Sequence, residues 1–347
     1  MKRVRCVYMG TAAIACPSLA RLLDWPVAEV VGVVTQPDRP AGRHLRLQAS
    51  PVKQLAVARG IPVLQPERVR DPGFVEALRG WDPDLIVVMA FGQILPPAVL
   101  GLPRHGCVNL HASLLPKYRG AAPIQWALVH GETMTGVTLM LMDEGMDTGP
   151  ILAQRAVAIG PDETAGRLHD RLAELAADSL VESLPDYLGG RLVPRPQPVE
   201  GVSYAPRLRK EHGRIDWNLS AVEIERRIRA FDPWPGAFTW WRPVGRAEGS
   251  EEGAGKGAAE AGRREGCMVK IWRAVVVEGR GVPGEVLAVE PDGVVVACGQ
   301  GGLRISEIQR EGGRRLPMAD FLAGHRIRPG DRFESVPPGA DTGGSGG

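Results

Sequence analysis

Polar side chains that could carry out acyl transfer are concentrated in two short segments. The first is an apolar run that ends in Asn109 and His111, and the second is the polar loop 142–150, which contains Asp147. Residues two apart in a strand project from the same face, so we expect Asn109 and His111 to project together. An amide donor, an imidazole and a carboxylate suit acyl transfer to an amine. Taken singly, the three have simpler explanations: a strand-end cap, a core histidine and part of a turn.

A parallel α/β sheet is expected to position these residues, because the first half of the chain alternates short apolar runs with helical patterns. The runs 29–35 and 85–89 are apolar almost throughout, as expected when helices cover both faces of a sheet. Ligands bind at the carboxyl ends of such strands, and we expect loop 142–150 to leave that same edge from a neighbouring strand. Strands are predicted at 4–9, 29–35, 62–64, 85–89, 106–110 and 137–142, and helices at 17–24, 52–59, 73–79, 123–130 and 164–184.

The domain organisation follows from length and composition. A chain of 347 residues exceeds the size at which one hydrophobic core usually stops growing, so two domains are expected. We expect a first domain at 1–189, a proline-rich linker at 190–206 and a second domain at 207–331. In the second domain, short β-like runs at roughly ten-residue spacing predict a small β-barrel. The composition predicts a flexible insertion at 246–266 and a disordered tail at 332–347.

Charge and cysteine content exclude several classes of protein. Lys and Arg total 42 against 40 Asp and Glu, a net charge of +2, which excludes a bulk nucleic-acid coat and leaves only local contacts. Five separated cysteines without a CxxC pair indicate neither a disulfide framework nor a metal site. The longest apolar run covers 85–91, far short of the roughly 20 residues of a membrane span. The basic start is like a secretory signal, but Gly10-Thr11 interrupts it, which favours a first strand and a cytoplasmic protein.

Two motifs carry a family resemblance. The runs NLHASLLPKYRGAAPIQ (109–125) and MDEGMDTG (142–149) resemble the folate-dependent formyltransferases, which transfer a formyl group from 10-formyltetrahydrofolate to an amine. The similarity extends from residue 1 to about residue 330. Further segments are similar to the branch of the family that acts on an aminoacylated tRNA: TQPDRPAGR (35–43), SPVK (50–53), IDW (215–217) and FDPWPGAF (231–238).

The resemblance implies a Rossmann-like catalytic domain followed by a second domain like an oligonucleotide-binding (OB) fold. It implies Asn109, His111 and Asp147 as catalytic residues, 10-formyltetrahydrofolate as co-substrate and initiator methionyl-tRNA as acceptor. No metal is expected. The folate would lie against two turns, one formed by Ser113, Leu114, Leu115 and Pro116, the other containing Phe91, Gly92 and Ile94.

Contacts with the tRNA are less specifically indicated. The resemblance places Arg43 at the acceptor end of the tRNA, although a solvated loop cation is the alternative. The basic group Arg207, Arg209 and Lys210 is either a tRNA contact or a solvated end of the linker. Trp217 and Trp234 are expected as core anchors of the second domain and not as stacking platforms.

In the mechanism that the resemblance implies, the amine attacks the formyl carbon and an anionic oxygen develops. Asn109 and a protonated His111 would stabilise that oxygen, and Asp147 would move the amine proton, directly or through a water. Other functions stay open: a sugar-amine formyltransferase with the same donor, a purine-pathway formyltransferase like the first domain alone, or an inactive RNA-binding protein. A monomer without a membrane partner is expected.

Overall fold

The computed structural model describes residues 3–41, 46–243 and 267–337. Within it the chain divides into two compact units. The first comprises Met1–Ala127 and Glu132–Arg207, and the second comprises Leu128–Gly131 and Leu208–Gly347. The predicted insertion at 246–266, the end of the predicted tail at 338–347 and Arg43 lie outside the described residues.

The first unit alternates strands and helices along the chain. Its strands are β1 Val4–Gly10, β2 Ala28–Val34, β3 Arg39–Ala41, β4 Arg46–Gln48, β5 Val63–Leu64, β6 Leu85–Met89, β7 Cys107–His111, β8 Arg119–Gly120, β9 Met134–Leu141, β10 Ile151–Ala158 and β11 Tyr204–Ala205. The helices that accompany them are α1 Cys16–Leu23, α2 Pro51–Ala58, α3 Pro72–Gly80, α4 Pro97–Leu100, α5 Pro123–Val129 and α6 Ala165–Leu188.

Seven of these strands form one sheet in the order β5-β2-β1-β6-β7-β9-β10. The five strands from β5 to β7 are parallel, whereas β9 runs antiparallel to both β7 and β10. All five residues of β6 are buried, because the sheet is covered on both faces. The structure therefore confirms the predicted mostly parallel α/β domain, and it confirms a first strand where the sequence also allowed a signal peptide.

Two details of this sheet differ from the sequence-based expectation. The strand predicted at 137–142 begins earlier, at Met134, and it is antiparallel. The hairpin partner β10 was not predicted, because its sequence lacks a long apolar run. Only its first two residues, Ile151 and Leu152, are fully buried, and most of the residues after them are small or polar. A strand at the edge of a sheet has one neighbour, so a long apolar run is not needed to form it.

The segment expected as a linker, 190–206, belongs to the first unit. Arg195 exchanges backbone hydrogen bonds with Ile151, at N···O distances of 2.7 and 2.8 Å. Further along, β11 pairs in parallel with β8, which lies in the loop that follows β7. At Gly120 of β8 the φ angle is +120°, and a Cβ there would lie 2.7 Å from the carbonyl oxygen of Ala205. The proline-rich segment is thus packed against the loops that follow the central strands.

The described part of the second unit, residues 208–243 and 267–337 with the short segment 128–131, forms a small antiparallel sheet with two α-helices. Its elements are α7 Ala221–Ala230, β12 Ala237–Arg242, β13 Cys267–Val277, β14 Val286–Glu290, β15 Gly293–Ala297, β16 Gly302–Arg310, β17 Leu316–Pro317, α8 Met318–Gly324 and β18 Arg332–Glu334. A capping box starts α7, in which Ser220 accepts from the Glu223 amide and Glu223 accepts from the Ser220 amide. The apolar face of α7, with Ile224 and Ile228, packs into the core of the sheet.

The sheet of the second unit curls until its edges meet. Strand order is β14-β15-β16-β13-β12-β18, with β17 paired to β16. Glu285, just before β14, bridges Arg332 at the start of β18. At this seam Gly284 has a φ of +86°, and a Cβ there would lie 2.1 Å from the Phe333 carbonyl oxygen. The curled antiparallel sheet confirms the predicted small barrel-like domain.

Two sequence-based expectations for the second unit need correction. The tail was expected to begin at residue 332, but residues 332–334 form β18, because Phe333 is buried and pairs with Trp241 of β12. Trp217 is a core anchor, as expected, and donates to the Thr239 hydroxyl at 3.0 Å. Trp234, however, is 55% exposed, so its expected role as a core anchor was wrong. It follows Pro233 in a turn between α7 and β12, outside the apolar face of either element.

Candidate active site

Strand β7 presents the first two predicted site residues. In its register with β6, Asn109 lies beside Val88 and Cys107 lies beside Ile86. Because successive side chains of a strand alternate between its faces, Asn109 and His111 project from the same face of the sheet. Both side chains are buried, with Asn109 9% and His111 6% exposed. Because the intervening residues of the strand pack on the opposite face, the local pattern alone fixes the direction of both polar groups.

The His111 imidazole has a defined hydrogen-bond partner. Its Nε2 lies 2.9 Å from the carbonyl oxygen of Tyr118, and because a carbonyl can only accept, Nε2 carries the proton. Tyr118 has a φ of +61°, a left-handed conformation that turns this carbonyl. The other ring nitrogen, Nδ1, lies 3.6 Å from Oδ2 of Asp147. With acceptors facing both nitrogens, the site accommodates an imidazolium.

Asp147 meets both residues of β7. Its Oδ1 lies 3.4 Å from Nδ2 of Asn109, and its Oδ2 accepts a hydrogen bond from the Gly120 amide at 2.8 Å. The structure therefore brings Asn109, His111 and Asp147 together in the first unit. The Asp147 backbone has a φ of +55°, which is uncommon for a residue with a side chain.

The route by which Asp147 arrives differs from the expectation. Loop 142–150 was expected to leave the carboxyl edge of the sheet, beside His111. Because β9 is antiparallel to β7, its last residue, Leu141, pairs with Val108, near the start of β7. The loop leaves from that opposite end, and its Asp147 nevertheless lies beside Asn109 and His111. The expectation of a shared edge was wrong because an apolar run carries no information on strand direction.

The turn 113–116, predicted to contact folate, is fixed by a network centred on Thr138 of β9. The Thr138 hydroxyl donates to the Ser113 carbonyl at 2.7 Å and accepts from the Leu115 amide at 3.0 Å. Gln154 of β10 donates to the Leu115 carbonyl at 2.8 Å. Ser113 and Leu115 are buried, while Leu114 and Pro116 are partly exposed. Thr138 and Gln154 were not singled out from the sequence, because nothing near them marks them as functional.

The second predicted folate turn, 90–95, borders an open cavity of about 580 Å³. Phe91 is buried in the core of the sheet, so its side chain points away from this surface, whereas Gly92 and Ile94 are exposed. Ile94, Leu95, Pro96 and Pro97 give the cavity an apolar wall, and Val69, Gln93 and Glu144 also line it. Arg68 and Arg70 line the same cavity, and the sequence analysis missed both because they lie outside the recognised motifs.

The basic residues proposed from the sequence are exposed where they are described. Arg207 ends the first unit, and Lys210 lies in a short 3₁₀ helix of the second unit. Arg43 follows β3 but lies outside the described residues. The roles of these three residues in tRNA binding stay predictions.

The sulfhydryl and phenol groups near the site stay protonated. Cys107 is the first residue of β7, and burial raises the pKa of its thiol to about 12. Burial, followed by a hydrogen bond to Glu132, raises the pKa of Tyr118 above its usual value. Tyr118 donates its hydroxyl proton to Glu132 at 2.9 Å. Neither group is therefore an ionised nucleophile near neutral pH.

Among the residues that the structure describes, no group of three or more His, Cys, Asp and Glu side chains could hold a metal ion. A search of the same residues finds no helix long and apolar enough to cross a membrane.

Comparison with known proteins gives the class of this chain. The formyl transferase family matches residues 4–184, and the C-terminal domain of formyl transferases matches residues 207–326. The chain belongs to the formyl transferase family. Among curated relatives, the methionyl-tRNA formyltransferase of Myxococcus xanthus is 51% identical over 332 residues, covering 96% of this chain and 98% of the relative. That of Geobacter sulfurreducens is 48% identical over 333 residues, with 96% and 98% coverage. Within the family, the chain therefore groups with the methionyl-tRNA formyltransferases.

Solved structures share the fold at low identity. HypX from Aquifex aeolicus, in complex with tetrahydrofolic acid, matches with a TM-score of 0.56 at 20% identity, over 94% of this chain and 49% of that chain. The N-formyltransferase from Helicobacter canadensis, in complex with folinic acid and dTDP-3-aminofucose, has a TM-score of 0.56 at 18% identity, with 91% and 100% coverage. At these identities the likeness concerns the fold alone.

Proposed function

We propose that the protein transfers the formyl group of 10-formyltetrahydrofolate to the α-amino group of initiator methionyl-tRNA. The observation that carries the proposal is the cluster of buried Asn109 and His111 with the partly exposed Asp147, in a chain that is about half identical to methionyl-tRNA formyltransferases over nearly its whole length. A sugar amine as acceptor is disfavoured, because the relatives that act on sugars match this chain only at the level of the fold.

Asn109 and His111 stabilise the anionic oxygen that develops on the formyl group. The Asn109 amide has two N–H bonds, and since one faces Asp147, the other is available to the substrate. Nε2 of His111 is engaged by Tyr118, so the Nδ1 N–H, which lies 3.6 Å from Asp147, is the one shared between that carboxylate and the developing oxygen. Donors that are fixed before the reaction typically contribute about 3–4 kcal/mol each to such a transition state.

Asp147 orients the imidazolium and moves a proton. In the transfer, a bond forms between the amine nitrogen and the formyl carbon, and the bond between that carbon and N10 of the folate breaks. The attacking amine loses one proton, and N10 gains one. Asp147, whose carboxylate lies 3.6 Å from His111 and 3.4 Å from Asn109, carries this proton directly or through a water.

The donor binds across two turns of the first unit. The flat faces of its pterin and benzoyl rings lie against the turn of Ser113, Leu114, Leu115 and Pro116 and against the loop of Phe91, Gly92 and Ile94. Support comes from the apolar wall of the adjoining cavity, whose size is within the range of small-molecule sites. Arg68 and Arg70 supply positive charge for the carboxylates of the donor's glutamate, opposite a single acid, Glu144, in the lining.

The acceptor tRNA is held by dispersed positive charge. Arg43 contacts the acceptor end, and Arg207 and Lys210 contact phosphates. Support comes from the exposure of Arg207 and Lys210 and from the suitability of cations for phosphate groups. We propose that the protein acts as a monomer in the cytoplasm.

Transfer itself tests the proposal. The purified protein is incubated with 10-formyltetrahydrofolate and initiator methionyl-tRNA, and the aminoacyl group is released and identified by mass. We expect N-formylmethionine that depends on the donor, and none from a tRNA whose methionine is already acetylated. Methionine that stays unformylated under conditions in which the protein is folded would contradict the proposal.

A further inference from the structure

A glutamine in the proline-rich segment holds the two loops of the candidate active site. The Gln197 amide nitrogen donates to the carbonyl oxygens of Asp147 and Gly149, both at 2.8 Å. Its amide oxygen accepts two hydrogen bonds from the Arg119 guanidinium, at 3.1 and 2.7 Å. Each polar atom of the side chain is therefore used, with the nitrogen facing the loop after β9 and the oxygen facing the loop after β7.

The contact with Asp147 falls where the backbone needs support. At a φ of +55°, a residue with a side chain is held in a sparsely populated conformation only by its surroundings. Hydrogen bonds to the carbonyls of Asp147 and Gly149 fix the peptide groups that follow these two residues, on either side of the Thr148–Gly149 peptide. On the other side, the Gly120 amide holds Oδ2 of Asp147 at 2.8 Å. Since Gly120 follows Arg119, Gln197 supports Asp147 from both loops.

Gln197 is itself fixed by the chain on either side. Two residues earlier, Arg195 exchanges backbone hydrogen bonds with Ile151 of β10. Six residues later, the Ser203 carbonyl accepts from the Arg119 amide at 2.9 Å, and the Ser203 hydroxyl accepts from the Tyr118 amide at 2.9 Å. The side chain is thus held between two anchored points, as a residue that orients others must be.

We propose that Gln197 is a positioning residue for formyl transfer, which sets Asp147 at the distance from His111 and Asn109 that the reaction needs. It does not touch the reacting atoms and acts through Asp147. This role rests on the proposed function, since it concerns the same site. A displacement of about 1 Å in a catalytic group can lower a rate about 100-fold, so a rigid support of this kind has a measurable effect.

Two substitutions separate this role from a general contribution to folding. Gln197→Ala removes both sets of hydrogen bonds. Gln197→Glu keeps an oxygen for Arg119 but replaces the N–H donors with a carboxylate oxygen that faces two carbonyl oxygens. If Gln197 served only to accept hydrogen bonds from Arg119, the glutamate variant would keep the wild-type rate. If it positions Asp147, we expect kcat to fall roughly 10- to 100-fold in both variants, with KM for folate and tRNA within about threefold.

Glu163→Gln is the matched control. Glu163 is also a buried side chain that fixes a loop of the first unit, accepting from the Gly160 amide at 2.9 Å and pairing with Arg171. We expect this variant to lower the unfolding temperature while its kcat stays within about twofold of wild type, as for a change away from the site. It shows what loss of stability alone does to the rate.

Hydrogen exchange provides a readout that does not depend on activity. The Gly120 amide donates to Asp147, so we expect its exchange to accelerate in Gln197→Ala and Gln197→Glu and to stay unchanged in Glu163→Gln. Wild-type kcat in Gln197→Glu, or unchanged Gly120 exchange in a folded Gln197→Ala, would overturn the proposal. Accelerated Gly120 exchange in a protein whose wild type transfers no formyl group would contradict the proposed function and support the positioning of Asp147.

Discussion

The candidate catalytic residues and the candidate binding residues are built in opposite ways. Asn109, His111 and Asp147 are mostly buried and have named partners within hydrogen-bond or ion-pair distance. Ile94, by contrast, is 70% exposed, and Arg68, Arg70, Arg207 and Lys210 are exposed as well. Groups that stabilise a transition state are more effective when they are fixed before the reaction. Groups that bind and release a large substrate must be accessible to it, and screening by solvent and salt keeps their attraction weak enough for release. The comparison predicts that changes in the buried cluster alter kcat and that changes in the exposed set alter KM.

The largest effect is expected from the buried cluster. His111→Ala removes the imidazole that faces Asp147 and should lower kcat roughly 100- to 1,000-fold, as for loss of one oxyanion donor, with little change in either KM. Steady-state formylation assays would measure this. As a control, His169→Ala removes a partly exposed histidine of α6 and should leave kcat unchanged. A His111→Ala variant within about tenfold of the wild-type rate would remove His111 from the mechanism.

A smaller effect, on KM, is expected at the cavity beside Ile94. Replacement of both Arg68 and Arg70 by Ala should raise the KM for 10-formyltetrahydrofolate about tenfold or more, since charge-assisted contacts are worth about 1.5–3 kcal/mol. The kcat and the KM for tRNA should not change. Arg79→Ala, which removes an exposed arginine of α3 paired with Glu76, is the control. A fall in kcat in the double variant, with folate KM unchanged, would break the comparison between buried and exposed sets.

The smallest effect is expected at the basic residues around the unit boundary. Neutralising both Arg207 and Lys210 with Ala should raise the KM for tRNA roughly fivefold, about 1 kcal/mol, because exposed charges are screened. The dependence of that KM on salt should also become shallower, since fewer phosphate contacts release counterions. Arg191→Ala, an exposed arginine paired with Asp186, serves as control. An unchanged salt dependence would mean that the pair is only a solvated end of the segment 190–206.

The catalytic face of β7 was predictable from sequence, whereas the support of that face was not. The two-residue spacing of Asn109 and His111 determined their shared direction once a strand was predicted. The barrel-like second unit followed from short apolar runs with regular turns. The direction of β9 was not predictable, because an apolar run can form either a parallel or an antiparallel strand. The predicted path of the loop that contains Asp147 was therefore wrong.

The residues that support the site were missed for a related reason. Thr138 looks like any polar residue in an apolar strand, and Gln197 looks like part of a proline-rich linker. Their importance arises from long-range contacts: Thr138 with the Ser113 turn, and Gln197 with Arg119 and Asp147. Such contacts depend on the fold as a whole and leave no local spacing pattern.

Competition between two acceptors shows which amine the protein formylates and whether His111 takes part. The wild-type protein is given 10-formyltetrahydrofolate with a labelled formyl group, together with equal concentrations of initiator methionyl-tRNA and an amino-sugar nucleotide. The site and the family placement predict that the label appears on the methionyl group and depends on an intact His111. Label on the sugar, or label on the methionyl group at the same rate in His111→Ala, would contradict the account.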